Sequence, residues 1–310
     1  MTDPTALRGG GILAVVVLYK ILPADSPSLR TLLAAASALP TGSLRLAIEL
    51  ADNTPGGQQV DSLPDAVAYR AYPENPGLTV PYNDALLKAE RDGFHWILTL
   101  DQDTSLPVNF LSRMMEAVSV YGADPEVAAV VPRIVDGERT ISPFRFKAGF
   151  WPSLLPVDVC GVPGRHVSAL NSASLLRVST LRQLGGYDNA FPLHNSDTRL
   201  YQLLDQAGKR VAVAGDIVVP HELSILDRER RMSPERYQQM LRDERTFWDR
   251  HMSAAGRAER LLRLAVRFGL GLLRGESAPF QKVTRDELVY RLCTRRATRM
   301  RKSSAHKDDA

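Results

Sequence analysis

Short, continuously apolar runs alternate with helix-patterned stretches over roughly the first 130 residues, and that alternation is what most constrains the fold. Residues Ile12–Leu18 are all aliphatic. Such a run marks a parallel strand buried on both faces. Residues 28–39 have helical composition after the start signal Asp25-Ser26-Pro27. A second strand is expected at 44–50, a short third at 66–69, a helix at 82–91 stopped by Asp92-Gly93, and a strand at 96–100. A helix over 107–121, with Pro107 early and Gly122 past its end, leads into a strand at 127–131. This order predicts an α/β fold: a mostly parallel sheet flanked by helices. Ligands of such sheets bind beyond the carboxyl ends of the strands. Asp52, Asp101 and Asp103 all lie at such ends, so they are expected to open into one crevice.

Several function classes are excluded. No G-x-G-x-x-G follows the first strand and no G-x-x-x-x-G-K-[ST] occurs, which argues against dinucleotide dehydrogenases and P-loop NTPases. Gly9-Gly10-Gly11 precedes the strand and reads as a flexible leader. Cys160 and Cys293 lie far apart without metal-ligand spacing, so neither a disulfide framework nor a zinc site is expected. A reducing cytoplasm fits, and no signal peptide is expected in residues 1–10.

Asp101-Gln102-Asp103 ends the apolar run Trp96-Ile97-Leu98-Thr99-Leu100. Residues i and i+2 of a strand point the same way, so the two carboxylates can converge on one hard cation. The same residues also suit a plain turn.

These pieces, taken in order, resemble a family 2 glycosyltransferase with the GT-A fold. The resemblance runs from about residue 12 to about residue 250 and is strongest to bacterial rhamnosyltransferase-like members. Leu13-Ala14-Val15-Val16-Val17-Leu18-Tyr19 resembles the family opening, and Asp52-Asn53 the acidic motif that contacts the donor's base and ribose. Glu74-Asn75-Pro76-Gly77 and Tyr82-Asn83-Asp84-Ala85 resemble, with departures, the segment before the metal motif. Leu98-Thr99-Leu100-Asp101-Gln102-Asp103 resembles the "L-L-D-Q-D" form of the rhamnosyltransferase-like group. Asn171 to Leu176, and Leu184-Gly185-Gly186-Tyr187-Asp188, resemble the acceptor-side segment.

The resemblance implies roles. Asp197 falls on the general-base position, with helix 198–207 behind it; its residue type also suits the N-cap of that helix, and both roles could hold at once. No neighbouring acid is evident, and Arg199 stands where relatives often carry an acid. Asp52, Asn53, Asn83, Asp101 and Asp103 are implied to bind the donor, and Asp103 with His221 to hold Mn²⁺ or Mg²⁺. Asp101 is expected to contact ribose or orient its loop. His221 closes the strand 215–220. The implied reaction is inverting transfer from a nucleotide-diphosphate sugar, dTDP-rhamnose favoured and a UDP-sugar as the alternative. The acceptor would be a glycan or lipid-linked saccharide in cell-surface polysaccharide synthesis. Two other readings remain at this point. One is a catalytically degenerate GT-A domain that binds nucleotide or glycan. The other is a sugar nucleotidyltransferase, disfavoured because its Gly-rich N-terminal loop is missing after the first strand.

The domain division expected is a GT-A domain over 1–225 and a helical, basic region over 226–310, whose last 15 or so residues are disordered. Phe144, Phe150 and Trp151 lie in a Pro-rich stretch, 143–165, expected to be irregular and suited to stacking on sugar rings. Residues 227–251 are densely charged and helix-like. In 257–274, Leu261, Leu264, Ala265, Phe268 and Leu272 recur at helical spacing with five arginines, and Gly269 and Gly271 weaken the last turns. A basic amphipathic helix of this kind suits an anionic membrane surface and equally a helix packed on the GT-A body with its arginines in water, while 291–307 suits a basic tail drawn to anionic lipid. A cytoplasmic protein is expected, peripheral on the inner membrane's cytoplasmic face if this region meets lipid. No nucleic-acid-binding signature is present.

Overall fold

The computed structural model describes residues 11–60, 62–147, 151–221, 232–294 and 296. Described residues up to Phe146 and from Pro152 to His221 form one compact unit; the helices from Pro234 onward form another. In the first unit the strands are β1 (Ile12–Leu18), β2 (Leu46–Asp52), β3 (Val67–Ala71), β4 (Trp96–Asp101), β5 (Val127–Asp136) and β6 (Arg139–Ser142), then β7 (Phe144–Lys147), β8 (Trp151–Leu154), β9 (Cys160–Gly161), β10 (Val167–Ser168), β11 (Ser174–Arg177) and β12 (Arg210–Pro220). Helices α1 (Pro27–Ser37), α2 (Thr79–Arg91), α3 (Phe110–Tyr121), α4 (Val178–Gln183) and α5 (Ser196–Gln206) flank them.

The main sheet runs β3-β2-β1-β4-β11-β5-β12-β9, with β6 beside β5. Strands β3, β2, β1 and β4 are mutually parallel, as are β5 and β12. Between these two blocks lies β11, antiparallel to both β4 and β5. β1 shows why its sequence is apolar throughout. Ile12, Ala14, Val16 and Leu18 feed the core under α1 and α3, and Leu13, Val15 and Val17 feed the core under α2, α4 and α5. Each fully buried aliphatic side chain contributes about 1.5–3 kcal/mol.

β1 matches its expected bounds, whereas β2 runs two residues further than expected, so that Asp52 is its last residue. β5 runs five residues past its expected end and turns back through β6. The stretch 143–165 is not irregular: it supplies β7 and β8 of a small second sheet, ordered β10-β7-β8, and β9. There Phe144 stacks edge-on against Phe146, ring centroids 5.3 Å apart. Phe150 lies outside the described residues. Asp197 is not an N-cap: α5 begins at Ser196 behind Asn195, which takes the left-handed conformation with φ 63°. Asn is the residue type that most readily tolerates this region after Gly.

The described residues of the second unit form three helices, α6 (Pro234–His251), α7 (Ala254–Arg274) and α8 (Ala278–Cys293). Ser233 and Ser253 cap the first two, accepting from the amides of Arg236 and Gly256. Tyr237, Met240, Leu241, Leu264 and Phe280 make the core. Helix α7 continues through Gly269 and Gly271 to Arg274, the end of the expected helical stretch. A Cβ at Gly271 would displace the side-chain ends of Gln281 and Glu276. Arg291 is also not part of a loose tail. It is buried, stacked 3.9 Å above the Trp248 ring, and it donates to Glu287 and to the Leu241 carbonyl. Residues 227–231 and nearly all of the expected tail lie outside the described residues. Among the described residues, no helix is long and apolar enough to cross a membrane.

Candidate active site

The site is built at the carboxyl end of β4. Parallel pairing sets Val17 opposite Asp101 on one side of β1 and Leu18 opposite Asp52 on the other. Asp52 and Asp101 are therefore two strands apart, about 10 Å. The loop after β4 is held from α1. Ser28 Oγ donates to the carbonyls of Asp101 and Thr104 and accepts from the Thr104 amide, while Ser26 Oγ donates to the Gln102 carbonyl. Gln102 itself faces away, accepting from the Tyr19 amide at 2.7 Å. The i, i+2 geometry thus aims Asp101 and Asp103 together while Gln102 pins β1's end.

His221, one residue past β12, closes this group. Its Nδ1 lies 3.5 Å from Asp103 Oδ1 and 3.3 Å from Thr104 Oγ1, and its Nε2 lies 4.0 Å from Asp101 Oδ2. One ligand atom from each of Asp101, Asp103 and His221 falls within 4.8 Å of the others. Neighbouring ligands on an octahedral ion with bonds of about 2.1 Å are about 3 Å apart, and opposite ones about 4 Å. Two carboxylates and one imidazole fit Mn²⁺, with Mg²⁺ the harder alternative. Asp101 therefore stands with Asp103 in the candidate cation group, not only beside it as expected. Ser172 Oγ donates to Asp101 Oδ2 at 2.5 Å, and Tyr82, whose hydroxyl lies 3.4 Å from Oδ1, supplies a second donor. Burial, together with the Asp101 charge, pushes the Tyr82 phenol well up, so it remains a donor. Ser172 and Tyr82 lie within the segments that carry the resemblance, which assigns neither a role; their positions beside Asp101 come from β11 and α2 packing on β4.

Asp197 opens α5 and faces the same place. Burial pushes its pKa up to about 6; hydrogen bonds from Thr198 pull the other way, and the Asp101 carboxylate adds to the rise. A neighbouring acid therefore exists, contrary to expectation, contributed by a strand nearly a hundred residues earlier. Arg199 does not set the charge of Asp197. It is turned to Asp188, 3.4 Å away, and to Gln202.

The other expected donor residues are placed differently. Asp52 is fully buried, and its carboxylate accepts from the Thr54 amide, Gln58 and the Tyr69 hydroxyl. Burial opposes its charge, but these bonds prevail and hold its pKa below the usual value. It organises its own loop. Asn53, also buried, donates to the Gly77 carbonyl and leaves its Oδ1 without a partner. Asn83 does not join the acidic group. Its amide brackets Tyr187, accepting from that residue's N–H and donating to its carbonyl. Gly186, with φ +78°, lies so close that a Cβ would meet Asn83 Oδ1 at 2.4 Å. Gly186→Ala is expected to cost about 2–3 kcal/mol through the positive φ and the displaced amide, read as a lower urea midpoint. Tyr187 in turn donates to Asn171, whose amide reaches Ser196 beside Asp197. The Gly-Gly-Tyr-Asp segment thus positions the start of α5.

No protein-family model and no curated protein matches the chain. Solved structures do. GalNAc-T7, crystallised with UDP, GalNAc and Mn²⁺, matches with a TM-score of 0.54 at 14% identity, over 89% of this chain and 54% of its own. TarS from S. aureus matches with a TM-score of 0.50 at 11% identity, over 83% of this chain and 43% of its own. The chain thus spans about half the length of these structures. At such identities the likeness establishes the architecture: the chain has the GT-A fold, a mostly parallel sheet with flanking helices, followed by C-terminal helices.

Proposed function

We propose that this chain is a divalent-cation-dependent, inverting glycosyltransferase. It moves a sugar from a nucleoside-diphosphate sugar to an acceptor hydroxyl. The observation that carries this reading is the meeting of two chemistries at one strand end of a GT-A sheet: the Asp101, Asp103 and His221 group and, facing Asp101, the Asp197 carboxylate raised to about 6. That GalNAc-T7 crystallises with UDP, GalNAc and Mn²⁺ supports a nucleotide sugar and a metal.

In this reading Asp101, Asp103 and His221 would hold the cation, which when bound supplies Lewis-acid stabilisation for the departing diphosphate. Ser172 and Tyr82 orient Asp101. Asp197 takes the proton of the acceptor hydroxyl as it attacks the anomeric carbon in line, so a single carboxylate suffices and no protein nucleophile is required. A pKa near 6 lets that carboxylate be ionised at neutral pH yet still basic. Asp52 shapes the β2 loop, and Asn53 beside it, whose buried side-chain oxygen has no partner, is the residue assigned to the donor's base or ribose. The Leu-Thr-Leu-Asp-Gln-Asp resemblance favours dTDP-rhamnose over a UDP-sugar, with a glycan or lipid-linked saccharide accepting the sugar in cell-envelope polysaccharide synthesis. Residues 1–225 would form the transferring domain, in a cytoplasmic protein.

Thermal unfolding against dTDP, UDP, GDP, CDP and ADP, each with and without Mn²⁺ or Mg²⁺, tests the reading. A ligand that binds only the native state raises the midpoint by mass action. A cation-dependent rise with dTDP or UDP is expected. No rise with any nucleotide, in protein shown to be folded, would sink it and leave a degenerate GT-A binding domain.

A further inference from the structure

The three-helix unit carries an apolar stripe that its own core does not use. On α7, Leu262, Val266, Leu270 and Leu273 follow at steps of four, four and three, which puts them on one face. They are 65%, 51%, 41% and 84% exposed, whereas Leu264, on the opposite face, is 2% exposed. The helix is therefore apolar on two sides, and only one is covered by the bundle. The arginines are not simply opposite water either. Arg260 lies over the Trp248 ring and Arg267 reaches the Tyr237 hydroxyl, both on the bundle side. Arg274, at the end of α7, is exposed.

Charge is divided as unevenly as exposure. Residues 232–310 hold 18 Lys and Arg against 10 Asp and Glu, while residues 1–231 hold 21 against 25. The chain continues for 16 residues past Thr294, with Arg295, Arg296, Arg299, Arg301 and Lys302 and no acid before Asp308.

We propose that this unit docks on an anionic lipid surface, with α7 in the interface plane and the Leu262, Val266, Leu270 and Leu273 side chains in the acyl boundary. An amphipathic interfacial helix needs an apolar face together with nearby cations, and the unit has both. A second copy fits less well, because two units with the same strong positive excess repel. A nucleic acid would use the cations but leave an aliphatic stripe in water. This proposal does not rest on the glycosyl-transfer reading.

The test is cosedimentation of the full chain with vesicles of phosphatidylcholine alone and of phosphatidylcholine mixed with phosphatidylglycerol. Binding is expected to the mixed vesicles only and to weaken with added salt. The variant L262S/V266S/L270S/L273S alters exposed positions only, so its circular dichroism should match the parent while its vesicle affinity drops by about tenfold or more. The pair L262S/L273S, at the two most exposed positions, serves if the fourfold variant misfolds. The proposal is overturned if the parent ignores anionic vesicles, or if the folded variant binds them equally well. It is also overturned if the stripe instead governs a dimer seen in sedimentation velocity, or if the chain retains RNA but not vesicles.

Discussion

Asp197→Asn is expected to abolish sugar transfer and, at neutral pH, to make the protein harder to unfold. The first effect follows from removing the base, which typically contributes 10²–10⁴-fold, about 3–5 kcal/mol of barrier. The second follows from the sign of the pKa shift. Burial, with Asp101 nearby, raises Asp197 from 3.8 to about 6, so between those values the native state binds a proton that the unfolded chain does not. Stability must then fall as pH rises through about 4 to 6. Above about 6 the ionised group carries the full penalty, up to about 3 kcal/mol at 1.36 kcal/mol per unit. Asparagine keeps the acceptor for the Thr198 amide without the charge. Its unfolding midpoint should be higher than the parent's by about 5 °C at pH 8, the gap closing by pH 4. For the parent, kcat/KM should rise with pH on the acid side and be level above about 6. A variant that is inactive and less stable at pH 8 would show that Asp197 is structural. One that still transfers sugar would place the base elsewhere.

Chelation, or Asp103→Ala, is expected to cost about three orders of magnitude in transfer rate, since charge stabilisation by a bound ion is worth several kcal/mol. Activity alone would not separate ion loss from misfolding, so the decisive reading is the midpoint of the parent, Asp103→Ala and His221→Ala titrated with Mn²⁺. At a hundred times its Kd the ion should stabilise the parent by about 2.7 kcal/mol and neither variant appreciably. A cation at the Asp101, Asp103 and His221 group would also offset the Asp101 charge. The acid limb of the pH profile should therefore move lower with the ion bound. Equal Mn²⁺ shifts in all three proteins would place the ion somewhere else.

Legibility varied along the chain for physical reasons. β1 was visible to the residue because both of its faces are buried, so nothing interrupts its apolar run. α2 begins three residues before its expected start, since Leu78, its N-cap, makes no side-chain cap and bonds the Pro192 carbonyl instead. β11 gave no strand signal: its four residues pair with β4, and Leu175 and Leu176 also with β5, only because those strands stand ready to receive them. Arg291 looked like tail and is core, because an aromatic ring and a carboxylate from other turns make burial of its charge tolerable. The motif marks Asn83 but not its partner: its amide is taken up by Tyr187, 104 residues later.

Local sequence by itself determined the βαβα order, the position of Asp101 and Asp103 at a strand end, and the presence of His221 at another. Those are properties of period, chain order and residue type, and they need no partner. Tertiary structure alone decided that β5 and β12 bring His221 back to within 3.5 Å of Asp103, and that α5 sets Asp197 close enough to feel Asp101. It also decided that Asp52 accepts from Tyr69 on β3 and that the Asn83 amide is taken up by the Tyr187 backbone. Electrostatic coupling and hydrogen-bond saturation depend on distances between residues far apart in the chain, and those distances exist only once the sheet has assembled.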